Sequence, residues 1–483
     1  RSRNYSIINS ITGIDTSVLK KNHKNYYKNK FIPTRLAKDL NIIQLSRIEE
    51  QKNELNGIIY KQYPERIYSS NIRASHILGY LKQADLNVIN QNENHNYEFD
   101  DLIGWSGLEK KYEHRLRGKK GVSYFQVDAF GRESGKIDGA NDFSSTPGED
   151  IKTTIDINLQ GFIEQQIKGF KGAIIVSNPE NGEILSLVSA PDYDPSLFRG
   201  FVSNEDWRKL IENPNRPLLN RATNGTYPPG SIFKMVVAAE LLEKNLITEN
   251  WQVLCNGEYE YYDTIHRCTG SHGYVNLRNA LIQSCNIFFY EAVLKIKLNE
   301  LAIRAKDLLH GKPTGIDLPS EMKGRVPNRN YMNKLYGYDG WSTGALLNIA
   351  IGQGEVLVTP IQMTAYINIL ATHGVYYPLI LVKENDLIPK QVSISKQTWV
   401  KINNYMNEVI ENPTGTGRLS NPKISNLSIY GKTGTAENPH GEPHAWFIGY
   451  GEKNSEKISI VILIENGGSG GKVASPFARK IFE

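Results

Sequence analysis

The sequence predicts an α+β fold in which one sheet joins strands from the two ends of a long domain, with helices in the chain between them. Three observations lead to this prediction: two β-rich runs early in that domain, three more near the C-terminus, and helical stretches between the two groups. The β-rich runs are 172–176, 184–188, 428–430, 446–450 and 458–465, and the helical stretches include 233–243 and 277–294.

The amino-acid composition and the pattern of apolar residues change near residue 150. Residues 1–150 are polar, rich in Asn and Lys and poor in long apolar elements, and they show no catalytic cluster. Beyond them a helix is predicted at 159–167, and the pair Asn181-Gly182 predicts a hairpin between the first two strands. We therefore predict two domains, 1–150 and 151–483.

The composition is typical of a globular protein. Of 483 residues, 40% are hydrophobic and 22% are charged, and the formal net charge is +5. Because no Arg/Lys stripe is interleaved with aromatic residues, we predict no nucleic-acid partner. No run approaches the ~18 apolar residues of a membrane span. The chain opens with Arg1-Ser2-Arg3 instead of Met, and we interpret it as a chain from which an N-terminal segment has been removed.

The first chemical motif is Ser231-Ile232-Phe233-Lys234. Positions three apart share a face of a helix, so the amine can reach the hydroxyl. A serine hydroxyl is a weak nucleophile until a neighbour accepts its proton, and a lysine whose pKa is lowered can do this. The preceding run 227–230, Tyr-Pro-Pro-Gly, predicts a rigid turn that sets the serine at a helix N-terminus, where backbone N–H groups favour an oxyanion.

The second motif is Ser284-Cys285-Asn286. Its serine can relay a proton between the lysine of the first motif and a leaving amine. The amide of Asn286 can hold an amide group of a substrate. The motif alone carries almost no information, and its meaning depends on the other two.

The third motif is Lys432-Thr433-Gly434-Thr435, at the end of a strand-like run. The lysine ammonium and the threonine hydroxyls can bind a carboxylate, and Gly434 would let a substrate backbone lie along the strand edge. The N–H groups of Ser231 and Thr435 are candidate oxyanion donors. Each motif is weak by itself, but the three in this order are the signature of class A β-lactamases and penicillin-binding proteins.

With these residues, the chain resembles the class B penicillin-binding proteins over nearly its whole length, and most of all their elongation type, penicillin-binding protein 2. The resemblance implies an N-terminal non-catalytic pedestal of the dimerisation type. A transpeptidase domain then follows, with an antiparallel sheet flanked by helices and an all-helical subdomain. Further segments that carry the resemblance are 66–68, 76–80, 104–112, 219–222, 227–231, 315–321, 351–354, 359–360 and 445–450.

The resemblance also implies the chemistry. Ser231 would attack the penultimate D-Ala carbonyl of a donor stem peptide, and an amine of a neighbouring stem would then take the acyl group, during side-wall elongation. Lys234 would be the base, and Ser284 and Lys432 would assist proton transfer. The two threonines of the third motif would grip the substrate carboxylate. β-Lactams would stall as acyl-enzymes, and no cofactor would be required.

Partners and location follow from the same resemblance. The expected ligands are peptidoglycan stem peptides and β-lactams. The expected protein partners are a separate membrane-embedded glycan polymerase of the RodA type and the scaffold proteins of the elongation machinery. An N-terminal anchor missing from this chain would hold the protein in the bacterial inner membrane, with its catalytic domain in the periplasm.

Three cysteines and a histidine form a candidate metal site: Cys255, Cys268, His272 and Cys285. Cys3His is a tetrahedral zinc set, although the spacings are looser than in a zinc knuckle. Some elongation-type relatives resemble this chain in having zinc between the first and second motifs. We predict a structural zinc, because a closed four-ligand site leaves no position for water. The alternatives are a Cys255–Cys268 disulfide, three free thiols, or His266 in place of His272.

Other functions share parts of this pattern. A division-type transpeptidase uses the same chemistry. A β-lactamase would be a shorter, single-domain protein that deacylates quickly. A β-lactam-sensing receptor or a non-catalytic wall-synthesis scaffold is a further alternative. The intact motifs oppose a dead scaffold, and a sensor needs a signalling segment that the sequence does not show.

Overall fold

The computed structural model describes residues 2–27, 34–38, 40–60, 66–68, 72–84, 88, 97, 101–127, 133–137, 141–198, 202, 204–338, 340–383 and 387–483. The chain divides into two compact units. The first combines Arg1–Arg66 with Arg117–Gly148, and the second combines Ile67–Leu116 with Glu149–Glu483. Within the described ranges, no helix is both long enough and apolar enough to cross a membrane.

The secondary structure alternates short elements with a few long ones. The α-helices are α1 Ser2–Thr12, α2 Thr16–Tyr26, α3 Ile42–Glu50, α4 Ser75–Leu78, α5 Gly107–Lys111, α6 Glu113–Leu116, α7 Ile157–Gln166, α8 Asn204–Ile211, α9 Lys234–Glu243, α10 Leu277–Ile282, α11 Asn286–Val293, α12 Leu298–Asp307, α13 Arg329–Tyr336, α14 Gly344–Ala350, α15 Pro360–Ala371, α16 Lys396–Glu411 and α17 Ser475–Phe482. The strands are β1 Leu81–Gln83, β2 Leu102–Gly104, β3 Phe125–Val127, β4 Glu133–Lys136, β5 Gly172–Ser177, β6 Ile184–Ala190, β7 Val253–Cys255, β8 Glu258–Tyr261, β9 Thr264–Arg267, β10 Gly273–Val275, β11 Val375–Tyr376, β12 Lys390–Gln391, β13 Ser428–Ala436, β14 His444–Lys453 and β15 Glu456–Ile464.

One five-stranded antiparallel sheet organises the second unit. Its strand order is β13-β14-β15-β5-β6, so the C-terminal strands pair with the strands that open the domain, as the sequence predicts. β5 and β6 form the predicted hairpin, and Gly182 takes a left-handed backbone with φ +77° in its turn. β13 lies at one edge of the sheet, and among the described strands it pairs only with β14.

Both faces of the sheet are covered, which explains why its strands read as continuous apolar runs. Every residue of β5 is buried. Ala173 and Ile175 belong to the core that contains α9 and α15. Ile174 and Val176 belong to a second core, with α7 and α17, on the opposite face. Helices on both faces of an antiparallel sheet confirm the α+β class.

The helical part is built around α15, every residue of which is buried. A capping box, in which Thr359 and Gln362 exchange hydrogen bonds, fixes where this helix begins. α9 is buried from Lys234 to Leu241. A helix buried on all sides is expected to be apolar throughout. The cation at the start of α9 is therefore an exception that needs a specific reason.

Two helix boundaries differ from the sequence-based expectation. The stretch 277–294, predicted as one helix, divides into α10 and α11 because Ser284 takes a left-handed backbone with φ +57°. The stretch 233–243 becomes helical only from Lys234, since a 3-10 turn at Gly230–Phe233 precedes it. Both differences fall on motifs that the sequence singles out for chemistry.

The segment Ile67–Leu116 packs with the sheet and helices of the second unit. The carboxylate of Glu164 in α7 accepts a hydrogen bond from the N–H of Ala74 at 2.8 Å. Tyr112 donates its hydroxyl proton to Asp317 at 3.0 Å. This segment therefore shares a compact unit with Glu149–Glu483, whereas Arg1–Arg66 and Arg117–Gly148 form the first unit.

Candidate active site

The candidate nucleophile, Ser231, lies in the 3-10 turn that leads into α9, next to β13. The turn approaches the strand most closely at Gly230, whose φ is +58° and whose N–H donates to the Gly352 carbonyl at 2.9 Å. A Cβ at this position would lie 2.7 Å from the carbonyl oxygen of Thr435. Only glycine fits both the backbone angle and the space, so this residue sets the serine beside the third motif.

Three hydrogen bonds fix the chain that leads to the nucleophile. The hydroxyl of Tyr227 donates to Glu465 at 2.6 Å, and Nε of Arg221 donates to the same carboxylate at 3.0 Å. The indole N–H of Trp446 donates to the Pro228 carbonyl at 3.0 Å. The Arg221 side chain is only 3% exposed. Because this network is shielded from water, it holds the turn more firmly than a surface network would.

Lys234 lies one helical turn after the serine, and its amine reaches the second motif. Its Nζ donates to the Ser284 carbonyl and to Asn286 Oδ1, both at 2.7 Å, and lies 3.4 Å from Ser284 Oγ. Burial lowers the pKa of Lys234 to about 8, although negative charge on nearby cysteines opposes this shift. An amine with such a pKa can accept a proton near neutral pH.

A second buried amine approaches the same hydroxyl. Nζ of Lys432 donates to Ser284 Oγ at 3.0 Å and to the Thr433 carbonyl at 3.1 Å. Burial and the charge of Lys234 hold the pKa of Lys432 well below its usual value. The Ser284 hydroxyl therefore lies between two amines of lowered pKa, an arrangement that can pass a proton from one to the other.

The second motif reaches both amines because the chain turns sharply at Ser284. A left-handed backbone at a residue other than glycine costs about 1–2 kcal/mol and persists only where the surrounding structure holds it. Here the turn directs the carbonyl and the hydroxyl of Ser284 to the same Lys234 amine. Cys285 then caps α11, so that Asn286 becomes the first residue of that helix.

The edge of β13 supplies a candidate oxyanion donor. Thr435 lies opposite Ala445 of β14, yet its carbonyl accepts a hydrogen bond from Gln353 Nε2 at 3.4 Å on the outer side. The N–H and C=O of one residue point to the same side of an antiparallel strand. The N–H of Thr435 therefore also faces outward, towards the turn that carries Ser231.

Gly434 has a role different from the one predicted. It was expected to leave space for a substrate backbone. In the structure, a Cβ at Gly434 would lie 2.9 Å from the Pro229 carbonyl oxygen and 3.1 Å from Cγ1 of Ile232. The missing side chain thus lets the turn of the nucleophile pack against the strand, and the space is already filled by the protein itself.

Thr416 is a site residue that sequence reasoning missed. Its Oγ1 lies 2.7 Å from Oγ1 of Thr433, and its N–H donates to the Ile282 carbonyl at 3.3 Å, two residues before Ser284. The run Thr-Gly-Thr-Gly at 414–417 indicates a turn from its glycines alone. No spacing rule connects it to the third motif, so the contact emerges only from the fold.

The predicted cysteine and histidine ligands come together beside the second motif. The ligand atoms of Cys255, Cys268, His272 and Cys285 all lie within 4.8 Å of one another. The pairing of β7 with β10 brings the first and third of these residues close in space. His266, weighed as an alternative ligand, is not part of this set. All three cysteines are unpaired thiols.

Three distances within this Cys/His cluster are close to those expected around a tetrahedral metal. Zinc with Zn–S near 2.3 Å and Zn–N near 2.05 Å separates two sulfur ligands by about 3.8 Å, and sulfur from nitrogen by about 3.6 Å. The Sγ atoms of Cys268 and Cys285 are 3.9 Å apart. His272 Nδ1 is 3.3 Å from Cys255 Sγ and 3.5 Å from Cys268 Sγ. A disulfide requires sulfur atoms about 2.05 Å apart.

Asn286 joins the cluster to the catalytic amine. Its N–H donates to Cys268 Sγ at 3.1 Å, its Oδ1 accepts from Lys234 at 2.7 Å, and its Nδ2 donates to the Arg267 carbonyl at 3.1 Å. Hydrogen bonding from Cys285, together with that from the Asn286 N–H, lowers the pKa of Cys268. The lowered pKa favours the thiolate, which is the form that binds metal.

Comparisons with known proteins identify two domains in this chain. The model of the penicillin-binding protein transpeptidase domain matches residues 172–483, and that of the penicillin-binding protein dimerisation domain matches residues 5–153. The chain is 29% identical to the peptidoglycan D,D-transpeptidase MrdA of Salmonella typhimurium, over 94% of this chain and 78% of that protein.

Two solved structures are similar to it as well. One is the complex between penicillin-binding protein PBP2 and MreC from Helicobacter pylori, with 29% identity, a TM-score of 0.87, and coverage of 99% of this chain and 91% of that one. The other concerns the coordination of polymerization and crosslinking by a peptidoglycan synthase complex, with 29% identity, a TM-score of 0.77, and coverage of 96% and 84%.

The match to the transpeptidase domain covers more than half of the chain and includes all three motifs and the Cys/His cluster. This chain belongs to the penicillin-binding protein transpeptidase family. Its dimerisation domain and its likeness to PBP2 confirm the resemblance to elongation-type class B members.

Proposed function

We propose that this chain is an elongation-type peptidoglycan D,D-transpeptidase that works through a Ser231 acyl-enzyme and is inhibited by β-lactams. The observation that carries the proposal is the meeting of two amines at one hydroxyl: Lys234 and Lys432 both hydrogen-bond Ser284. Serine acyl transfer needs a nucleophile, a base and a proton relay within reach of one another. The activity named for the similar Salmonella protein supports the same conclusion.

The acylation step follows from the proton positions. Neutral Lys234 accepts the Ser231 hydroxyl proton as the oxygen attacks the penultimate D-Ala carbonyl of the donor stem. The N–H groups of Ser231 and Thr435 stabilise the negative charge on the carbonyl oxygen. Ser284 passes a proton to the departing nitrogen of terminal D-Ala and is resupplied by the amines beside it. An amine of a second stem then attacks the ester, and the same groups act in reverse.

Two further groups position the substrate. The hydroxyls of Thr433 and Thr435 bind the terminal carboxylate of the stem. Asn286 uses Oδ1 to orient Lys234 and one Nδ2 hydrogen for the Arg267 carbonyl. Its second Nδ2 hydrogen is available for a substrate carbonyl, because a primary amide has two donors. Asn286 therefore serves the base and the substrate together.

The alternative functions are less well supported. A β-lactamase would not need the dimerisation domain that the chain carries. A non-catalytic scaffold would have no reason to keep two buried lysines at one serine, since burying a cation costs free energy. A division-type enzyme would share the mechanism, but the named likenesses to MrdA and PBP2 favour the elongation type.

We also propose that the Cys/His cluster holds one zinc ion, with Cys255, Cys268, His272 and Cys285 as its ligands. The spacing of the ligand atoms and the lowered pKa of Cys268 support this assignment. Zinc in such a closed set fastens the strand pairs β7–β10 and β8–β9 to the start of α11 and takes no part in the chemistry. Elemental analysis of protein purified without chelator should give about one zinc per chain, and less than a tenth of an equivalent would contradict the proposal.

The domain boundary, the partners and the location are proposed on the same basis. We propose a boundary near residue 150, with a pedestal in 1–150 and the transpeptidase domain in 151–483. The dimerisation domain match at 5–153 supports this division. The similar structures contain MreC in one case and a peptidoglycan synthase complex in the other. For this chain we propose a scaffold protein and a RodA-type glycan polymerase as partners, with membrane anchoring and a periplasmic catalytic domain.

The nucleophile can be tested by covalent labelling. A fluorescent penicillin should label the wild-type protein one to one, and mass spectrometry should locate the adduct on Ser231. The Ser231→Ala variant should not be labelled. Ser428→Ala, at the exposed start of β13, is the matched control and should be labelled normally. Labelling of Ser231→Ala, or rapid loss of the adduct from the wild type, would overturn the proposal.

A further inference from the structure

Thr416 and Thr433 form a pair of hydroxyls beside the nucleophile. Their Oγ1 atoms lie 2.7 Å apart, and either hydroxyl can be the donor. Thr433 is 5% exposed and comes from the third motif. Thr416 is half-buried and comes from the turn between α16 and β13, outside the three motifs. The motif residue is thus backed by a hydroxyl that no motif contains.

The turn that carries Thr416 is tightly held. The Gly417 N–H donates to the Val409 carbonyl of α16 at 3.0 Å. A Cβ at Gly415 would lie 2.3 Å from that same carbonyl oxygen, and a Cβ at Gly471 would lie 2.5 Å from the carbonyl oxygen of Thr416. With backbone approaching from two sides, Thr416 cannot move away from its partner without disturbing both.

Proton counting shows what such a pair can do. A carboxylate accepts hydrogen bonds only, so a threonine that binds it must turn its single proton towards it. Thr435 is already arranged in this way, because its Oγ1 accepts from the Gly470 N–H at 3.2 Å and its own proton is left free to point outward. Thr433 needs an equivalent inner donor, and the hydroxyl of Thr416 is the group in position.

The surroundings of Lys432 make the hydroxyl of Thr416 important for binding a carboxylate. Lys432 is fully buried, and its pKa lies well below the usual value, because of burial and the charge of Lys234. The amine hydrogens of Lys432 are also directed inward, to Ser284 Oγ at 3.0 Å and to the Thr433 carbonyl at 3.1 Å. Hydroxyl donors must then supply more of the recognition, and a chain of hydroxyls polarises each member.

We propose that Thr416 is a positioning residue for carboxylate recognition: its hydroxyl donates to Thr433 and so turns the Thr433 proton towards the carboxylate of the ligand. The assignment rests on the proposed transpeptidase function. It makes Thr416 a determinant of specificity for ligands with a free terminal carboxylate, whereas the rate of the acylation step itself depends on the amines at Ser284.

The test compares ligands with and without the negative charge. Acylation of the wild type, Thr416→Val and Thr416→Ser would be followed with a penicillin and with its methyl ester. Valine keeps the shape of threonine and removes the hydroxyl. We expect Thr416→Val to lower kinact/KI for the free acid about three- to tenfold, through KI, with little change for the ester. Serine should restore the wild-type preference. Thr372→Val, which removes a half-buried hydroxyl bonded to helix carbonyls, should change neither ligand.

A double-mutant cycle distinguishes an action of Thr416 through Thr433 from a purely structural role. If Thr416 acts through Thr433, the variant that carries both Thr416→Val and Thr433→Val should lose no more acid-over-ester preference than Thr433→Val alone. Equal losses for acid and ester, or losses that multiply in the double variant, would overturn the assignment of Thr416 while leaving the nucleophile assignment intact. A wild-type protein that neither ligand acylates would overturn both.

Discussion

The buried amine of Lys234 leads to a quantitative prediction for the pH dependence of acylation. The base must be neutral to accept the Ser231 proton, and burial lowers its pKa to about 8. The neutral fraction is then about one in eleven at pH 7, about one half at pH 8 and about ten in eleven at pH 9. Because the folded pKa lies below that of a free lysine, the active form appears as the pH rises through about 8.

The perturbation is a change of buffer from pH 6.5 to pH 9.5 at constant ionic strength. The expected result is a tenfold increase in kinact/KI between pH 7 and pH 9, with a midpoint near pH 8. Stopped-flow measurement with a fluorescent penicillin is fast enough to precede hydrolysis of the free β-lactam. Circular dichroism at each pH provides the control that the fold is unchanged.

Two outcomes of the same pH titration would refute this reasoning. A flat profile between pH 7 and pH 9 would mean that the titration of Lys234 does not limit acylation. A midpoint near 10.5 would mean that the amine behaves as a solvent-exposed lysine, contrary to its complete burial. Either result would remove Lys234 as the base and require another acceptor for the serine proton.

Three further predictions concern the supports of the site. Tyr227→Phe removes the hydrogen-bond donor to Glu465. We expect the free energy of unfolding, measured by denaturant titration, to fall by about 2 kcal/mol, and acylation to become slower. Unchanged acylation would contradict a positioning role for Tyr227. Gly230→Ala places a Cβ 2.7 Å from the Thr435 carbonyl oxygen; penicillin labelling should fall at least tenfold, and full labelling would show that the close approach is not required. Cys268→Ser should lower zinc content, measured by elemental analysis, and melting temperature together, and loss of neither would contradict the metal assignment.

The chemistry was more predictable from the sequence than the shape of the site. Short motifs name residue types that only a few reactions use, so the meeting of Lys234, Ser284 and Lys432 could be expected before any coordinates. The sheet followed from β-rich runs at the two ends of the domain. The Cys/His cluster followed from residue type, although its loose spacing left disulfide and free-thiol alternatives open.

What the sequence did not reveal depends on contacts between distant segments. The apolar run 277–294 continues across Ser284, so nothing local indicates that the backbone turns left-handed there. Gly434 could have faced substrate or protein, and only the approach of Pro229 decides between them. Thr416 lies in a glycine-rich turn with no chemical signature, and the role proposed for it depends on its neighbour Thr433 in β13.

The outer side of β13 has a consequence for the range of acceptable ligands. A chain that docks along a strand edge through backbone groups is recognised by its extended form, because amide groups are the same in every residue. Side chains on such a ligand would point above and below the sheet plane, away from the contacts that hold it. Variation in the middle of the peptide would therefore be tolerated, whereas the terminal charge would be selected by the hydroxyls of Thr433 and Thr435.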